Sequence, residues 1–293
     1  MSVTVGLDVG GTKVAAGLIT PDGTILCRRE RPNPGRDPGL AVTREVAASL
    51  TATAAERGLP VTGLGVGFPE YVDITGQLTS RLVLDWDVQP AVLLSGLAGH
   101  ITVESDVRCG AIAEARLGSG RRLSSFVYVS IGTGISYCHV LDGEPVRGAR
   151  GEAIALGELP APEGTLEQFA SGEAIRARYA AAVPASARGP SSAREVLAAA
   201  DRGDPLAADV VRTAAAAIAA ALGWLTCLLD PAAVILGGGL GHAGGLWGHV
   251  LSDYSEQAVA TRPSPPPVLR GALGPDAGLI GAGLIASLPG TRG

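Results

Sequence analysis

The chain has 293 residues, 46% of them hydrophobic and 17% charged, with a formal net charge of −5. This composition supports one large or two medium domains and excludes a disordered chain. The acidic balance argues against nucleic acid or an anionic membrane as the main partner, and with only 4% aromatics the core has to be built from Ala, Val, Leu and Ile.

Residues 1–30 read as strand, Gly turn, strand, turn at Pro21-Asp22-Gly23, strand, with Val3, Val5, Leu7 and Val9 alternating. Leu40 to Arg57 has helical spacing and stops at Gly58. Gly63 to Gly67 is a buried strand that runs into Phe68-Pro69-Glu70-Tyr71. Val88 to Gly99 reads as a helix, Ile101 to Val103 as a strand delivering Glu104-Ser105-Asp106, and Val107 to Leu117 as a helix. A second unit then repeats the opening layout: strand Ser125 to Ile131, turn Gly132-Thr133-Gly134, strand Ser136 to Leu141. Residues 148–164 read as loop, Thr165 to Ala182 as helix, 183–190 as linker and Ser191 to Ala200 as helix. Pro205 to Leu229 is a long Ala-rich helix stopped by Asp230-Pro231. Ala233 to Leu236 is a short strand ending in Gly237-Gly238-Gly239. A loop at 263–267 and a helix from Ala277 to Leu288 close the chain.

Apolar stretches are interrupted by Gly, Asp or Arg before membrane length, and the start has no basic region followed by an apolar run. The expectation is a cytoplasmic chain without a signal peptide. Cys27, Cys109, Cys138 and Cys227 form no CxxC pair and His100, His139, His242 and His249 are scattered, so neither a disulfide framework nor a zinc site is expected.

The chemistry sits at the turns. Gly10 and Gly11 leave backbone N–H groups uncovered, Thr12 adds a hydroxyl, and Lys13, the sole lysine of the chain, adds a positive charge. Asp8 at the mouth of this turn is placed to hold Mg²⁺ through a water; the alternative is a tight hairpin with an ordinary Asp. Gly132-Thr133-Gly134 is a second anion-binding turn, and two such halves facing each other would form a cleft. Gly237, Gly238 and Gly239 suit either the close approach of a flat ring such as adenine or a crowded strand-to-helix connection. Asp106, between a strand and a helix, is either a general base or a helix N-cap.

Asp8-Val9-Gly10-Gly11-Thr12-Lys13, the Glu104-Ser105-Asp106 strand end, Ile131-Gly132-Thr133-Gly134-Ile135, Gly164 to Gly172, and Asp230-Pro231 with Ile235 to Gly239 occur in the order of the ROK family. Across essentially the whole chain the sequence resembles that family of bacterial sugar kinases and related repressors. The resemblance implies an α/β, two-domain actin/hexokinase-like (ribonuclease H-like) fold with a duplicated strand-rich unit and ATP in the interdomain cleft. Residues 1–106, with helix 277–289 packed back on them, would form the first domain and 107–276 the second. It implies that Asp106 is the base and that Asp8, Gly10, Gly11, Thr12 and Lys13 form the first phosphate loop. Gly132, Thr133 and Gly134 would form the second, with Gly237, Gly238 and Gly239 by adenosine. ATP and Mg²⁺ are the implied cofactors, and a homodimer the implied assembly.

This sequence departs from the family on the sugar side. Asn-Asp at the catalytic strand end is Ser105-Asp106 here, Pro-Gly after the inner strand is Pro69-Glu70, and an Asn before Trp86 is replaced within Leu82-Val83-Leu84. The Gly-Glu-x-Gly-His run aligns with Ile154 to Glu158, putting Ala155 at the Glu and Glu158 at the His. The zinc loop has become Pro160 to Thr165, without Cys or His, so no zinc is expected; the Glu that follows it is Glu167. Glu70, Ser105, Asp106, Ala155, Glu158 and Glu167 are therefore the expected acceptor-side residues. Lost hydroxyl partners and gained carboxylates point to an amino sugar (kanosamine-like) or a cyclitol of a specialised pathway such as antibiotic biosynthesis. The alternatives are an ordinary glucokinase and a non-catalytic sugar-responsive regulator. The lack of a segment before Val3 speaks against a DNA-binding repressor.

Overall fold

A computed structural model describes residues 1–33, 36–183, 189–259 and 264–287. Its first strands are β1 (Val3–Val9), β2 (Lys13–Ile19) and β3 (Ile25–Pro32), followed by helix α1 (Ala41–Glu56) and β4 (Val61–Phe68). A four-residue helix α2 (Pro90–Leu93) precedes β5 (Ile101–Ser105) and α3 (Asp106–Leu117). These strands form one sheet in the order β3-β2-β1-β4-β5. β1, β2 and β3 pair antiparallel, while β1, β4 and β5 run parallel with Asp8 opposite Gly67 and Phe68 opposite Ser105. The parallel pairing delivers the ends of β1, β4 and β5 to one edge, where ligands of open α/β sheets bind.

The next strands are β6 (Ser125–Ile131), β7 (Ile135–Leu141) and the short β8 (Glu144–Pro145). Helices α4 (Leu166–Ala170), α5 (Gly172–Ala182), α6 (Ala193–Asp201) and α7 (Pro205–Leu229) follow. Then come β9 (Val234–Gly237), α8 (Gly238–Gly241), α9 (Gly244–Val259), β10 (Val268–Arg270) and α10 (Ala277–Ile285). The second sheet has the order β10-β9-β6-β7-β8.

The chain divides into two compact units, one of residues 1–122, 138–154 and 275 onward, the other of 123–137 and 155–274. The first unit thus runs past the expected boundary at Asp106 to Arg122 and takes back 138–154. The reason is packing: Cys109 and Ile112 of α3 share a buried cluster with Ala282 and Ile285 of α10. α10 lies directly on the sheet, because a Cβ at Gly6 would come within 2.7 Å of Leu279 O and one at Gly65 within 1.9 Å of Ala282 O. On the other face Val5, Leu7, Leu64 and Val66 pack with Val46, Ala47 and Leu50 of α1. Each fully buried Val or Leu side chain among them contributes roughly 1.5–3 kcal/mol.

In the second unit α7 is the spine of the core. Asp204 caps it by accepting from Leu206 N and Ala207 N at 3.0 Å each, Pro205 opens it, and Val210, Val211, Ile218, Leu222 and Leu225 are buried. Against expectation this helix, alone among the described residues, is long and apolar enough to cross a membrane by length and composition, but 56% of that stretch is buried, its inner side packed by α4, α5, α6 and α9.

Several elements differ from the sequence reading. Of Val88 to Gly99 only α2 is helical, because Pro90 starts it and Gly96, at φ +83°, turns the chain out of it. The helix expected over Thr165 to Ala182 breaks at Ser171, which is extended at ψ 167°. There the Ser171 hydroxyl caps Ala174 N and Gly172 N donates to Gly132 O at 2.8 Å. α8, α9 and β10 are additional elements. Residues 184–188 of the expected linker, 263 of the late loop and 288–289 of the last helix lie outside the described residues. Of the cysteines, Cys109 and Cys138 are buried, Cys27 is partly buried and Cys227 is exposed.

Candidate active site

In the first unit Asp8 is the penultimate residue of β1, and the turn behind it is braced from a distance. Gly10 N donates to Lys13 O at 2.8 Å, while Asn33 donates from its side chain to Gly10 O at 2.7 Å and from its backbone to Thr12 O at 2.8 Å. Asn33 is buried, and sequence reasoning missed it although it stands directly after β3. Thr12 and Lys13 are exposed. The Lys13 ammonium pairs with Glu30 at 3.0 Å, and Arg28 reaches the same carboxylate at 3.1 Å. Burial pushes the Asp8 carboxyl up to about 6; Lys13 opposes this, Asp276 adds to it and Arg28 opposes it. A Cβ on Gly278 would lie 3.0 Å from Asp8 Oδ2, so the first turn of α10 closes over the carboxylate. A carboxylate whose burial disfavours a bare charge fits Mg²⁺, which takes one or two carboxylates and otherwise keeps water and phosphate oxygens.

At the ends of β4 and β5 the structure separates three expected residues. Asp106 is half-buried and is the first residue of α3 rather than its N-cap. Its Oδ1 accepts from Val107 N at 2.6 Å. The N-cap position belongs to Ser105, whose hydroxyl caps nothing, is fully buried and has no hydrogen-bond partner. Ser105 is thus enclosed and offers no surface to an acceptor. Glu70 is likewise corrected. It is 2% exposed, and its Oε1 accepts from Val83 N at 2.7 Å and Leu84 N at 2.8 Å. Its Oε2 accepts from Leu82 N at 2.8 Å and from the Ser80 hydroxyl. A carboxylate has about four acceptor positions, so Glu70 is saturated by its own loop. Arg36 takes the carbonyls of the same loop, Arg81 O at 2.8 Å and Leu82 O at 3.1 Å. The loop so clamped presses Val83 onto the first turn, its Cγ1 only 2.9 Å from where a Gly11 Cβ would be.

In the second unit Gly132 has open space where a Cβ would go, and Thr133 is exposed. Glu167, on α4, accepts from Ile135 N at 2.8 Å, and a Cβ on Gly134 would lie 2.5 Å from its Oε2. The structure therefore brings Glu167 to the second turn. Ala155 is partly buried ahead of a 3₁₀ turn at Leu156–Glu158, and Glu158 is exposed. Of the three glycines that end β9 and open α8, Gly237 and Gly238 are demanded by packing. A Cβ on Gly237 would meet the Tyr128 hydroxyl at 2.1 Å, and Gly238, at φ +75°, lies against Ile131 with 2.5 Å to its O. Gly239 is open, apart from Arg194, which donates to its carbonyl at 2.9 Å.

Two α/β units built on strand, Gly turn, strand, with carboxylates at the ends of parallel strands, define the actin/hexokinase-like class. The profile of the ROK family matches residues 4–288. Over 320 residues the chain is 28% identical to a glucokinase of Streptomyces coelicolor, covering 99% of each. Over 307 residues it is 30% identical to an N-acetylmannosamine kinase of Yersinia pseudotuberculosis, covering 96% of this chain and 97% of that protein. Among solved structures, a ROK glucokinase from Streptomyces griseus in complex with glucose and AMPPNP superposes with a TM-score of 0.81 at 29% identity, covering 97% of this chain and 99% of that one. A ROK hexokinase from Thermus thermophilus gives 0.78 at 32% identity, covering 97% of each chain. The chain belongs to the ROK family and is an ATP-dependent carbohydrate kinase.

Proposed function

We propose that this kinase transfers the γ-phosphoryl group of ATP to a hydroxyl of an amino sugar or a cyclitol. The observation that carries the reading is Asp106. It stands at the sheet edge where β1 also delivers Asp8, and it heads α3 without serving as the N-cap. In the proposed reaction the acceptor hydroxyl gives its proton to Asp106, its oxygen attacks the γ-phosphorus, the bond from that phosphorus to the bridging oxygen breaks, and ADP leaves with its electron pair. Phosphoryl transfer otherwise needs mainly positioning and charge neutralisation. The turns 10–13 and 132–134 would take phosphate oxygens, and Mg²⁺ bound through water at Asp8 would offset their charge. The open faces of Gly132 and Gly239 support nucleotide contacts there.

With Glu70 withdrawn, the amino-sugar reading rests on exposed Glu158 as the group that would meet an ammonium. A plain hexose is the second reading, favoured by the relatives named glucokinases. ATP as donor supports a cytoplasmic enzyme. The absence of Cys and His from residues 160–165 supports a protein without structural zinc. Trp224 and Leu228, 64% and 76% exposed on α7, support a homodimer.

The test is ADP release with glucose, glucosamine, kanosamine, N-acetylmannosamine and myo-inositol. Asp106→Asn should lower turnover by about 10²–10⁴-fold while AMPPNP binding persists. Glucose as the best acceptor would select the second reading, and an active Asp106→Asn variant would remove the base.

A further inference from the structure

Behind Asp106 lies a charged cluster that neither turn uses. Arg108, on the first turn of α3, is 0% exposed, and Glu104, on β5, is 1% exposed. Arg108 Nε donates to Glu104 Oε1 at 2.6 Å, and Ser105 N donates to the same oxygen at 2.8 Å. The other oxygen of Glu104 is held by Arg147. Arg108 spends its remaining arms on two carbonyls, Gly151 O at 2.9 Å through Nη1 and Val72 O at 2.7 Å through Nη2. Those two segments touch each other there. Gly151 is at φ +81°, and a Cβ on it would lie 2.1 Å from Val72 O.

A buried ion pair is weak evidence of stability, since desolvating two charges cancels most of their attraction. What a guanidinium supplies here is geometry, because its planar fork holds several acceptors at fixed angles. Glu104 and Arg108 are four residues apart across the junction of β5 and α3 and bracket Asp106, so their bond sets the direction of the peptide that carries the carboxylate. The same fork ties down the segment after β4 and the segment 147–151.

We propose that Arg108 is a positioning residue for phosphoryl transfer: it aims Asp106 and fixes the 72–73 and 147–151 segments around the acceptor, without touching the nucleotide. This deepens the kinase reading and rests on Asp106 as base. A lysine at 108 keeps the charge but presents a single ammonium in place of a fork, so it cannot span Glu104, Val72 O and Gly151 O together.

The experiment compares wild type, Arg108→Lys and Arg108→Gly. It measures ADP release with the most active acceptor of the sugar and cyclitol panel, AMPPNP binding by calorimetry, and amide hydrogen exchange. A misplacement of order 1 Å costs up to about 10²-fold. Arg108→Lys should therefore lose about tenfold or more in kcat, with unchanged AMPPNP affinity and faster exchange confined to residues 70–74 and 147–154. In Arg108→Gly, added guanidinium chloride should recover part of kcat where sodium chloride at the same concentration does not. A folded Arg108→Lys protein with wild-type kcat and acceptor KM overturns the inference, as does loss of AMPPNP binding in step with kcat, which marks a general structural role. If Arg108→Gly does not fold, Arg108→Lys decides. Wild type inactive on every acceptor overturns the kinase reading, and this inference with it. Normal wild-type turnover with an unaffected Arg108→Lys overturns the inference alone.

Discussion

Glu70→Ala separates a carboxylate that holds a loop from one that binds substrate. The substitution removes the acceptor of the Leu82, Val83 and Leu84 N–H groups and of the Ser80 hydroxyl. Leu82 is 61% exposed, so water replaces its lost partner, whereas Leu84 is fully buried and Val83 partly so. Stranding a buried donor costs about 1–3 kcal/mol. Two such groups give a loss of about 2–6 kcal/mol, and relief from burying the Glu70 charge draws the expected value toward the lower end. Urea unfolding near neutral pH measures it. Glu70→Gln should also destabilise, because its amide NH₂ faces donors where an oxygen is needed. Since Val83 rests on Gly11, both variants should weaken AMPPNP binding too. Acceptor choice should not move: the ratio of KM for glucosamine to KM for glucose stays at the wild-type value. A loss below about 1 kcal/mol, or a rise in KM confined to the amino sugar, would refute the reasoning and return Glu70 to the substrate.

Three further outcomes follow from single residues. Asp8→Asn should stabilise the nucleotide-free protein. A folded-state pKa raised from 3.8 to about 6 costs about 3 kcal/mol at neutral pH; stability tied to the protonated form is full below the unfolded pKa and lost as pH rises through the folded one. The gain should therefore fade toward about pH 4, and equal stability of variant and wild type at neutral pH refutes it. Gly238→Ala should lose roughly 2 kcal/mol or more, because its φ is +75° and the new Cβ would come 2.5 Å from Ile131 O; an unchanged melting temperature contradicts this. Gly132→Ala meets no atom within 4 Å, so it should leave melting unchanged yet weaken AMPPNP binding, and unaltered affinity removes the second turn from the nucleotide site.

Much of the fold could be read locally. Alternating Val3, Val5, Leu7 and Val9 mark β1, and Asp204, Pro205 and the apolar period that follows mark α7, because strand pleating and helix capping act over one or two turns of chain. The helical spacing of Leu246, Val250 and Tyr254 on α9 was missed, because the Gly and His residues around it hide the period. Other features are set by neighbours distant in sequence. The break at Ser171 depends on Gly132 O, and the small helix at Gly238–Gly241 has no propensity to announce it. For the site, the two Gly turns and Asp106 were visible as residue types at strand ends. The work of the charged residues was not: Glu70 reads as a substrate ligand until the loop 80–84 wraps it, and nothing near Arg108 in the sequence marks it until the carbonyls of Val72 and Gly151 reach it. A charge takes its role from whatever removes water from it and supplies its hydrogen bonds. For Glu70 and Arg108 those groups, apart from Glu104, four residues from Arg108, lie 10 to 43 residues away, so local sequence determined where each stands and only the tertiary structure decided what each holds.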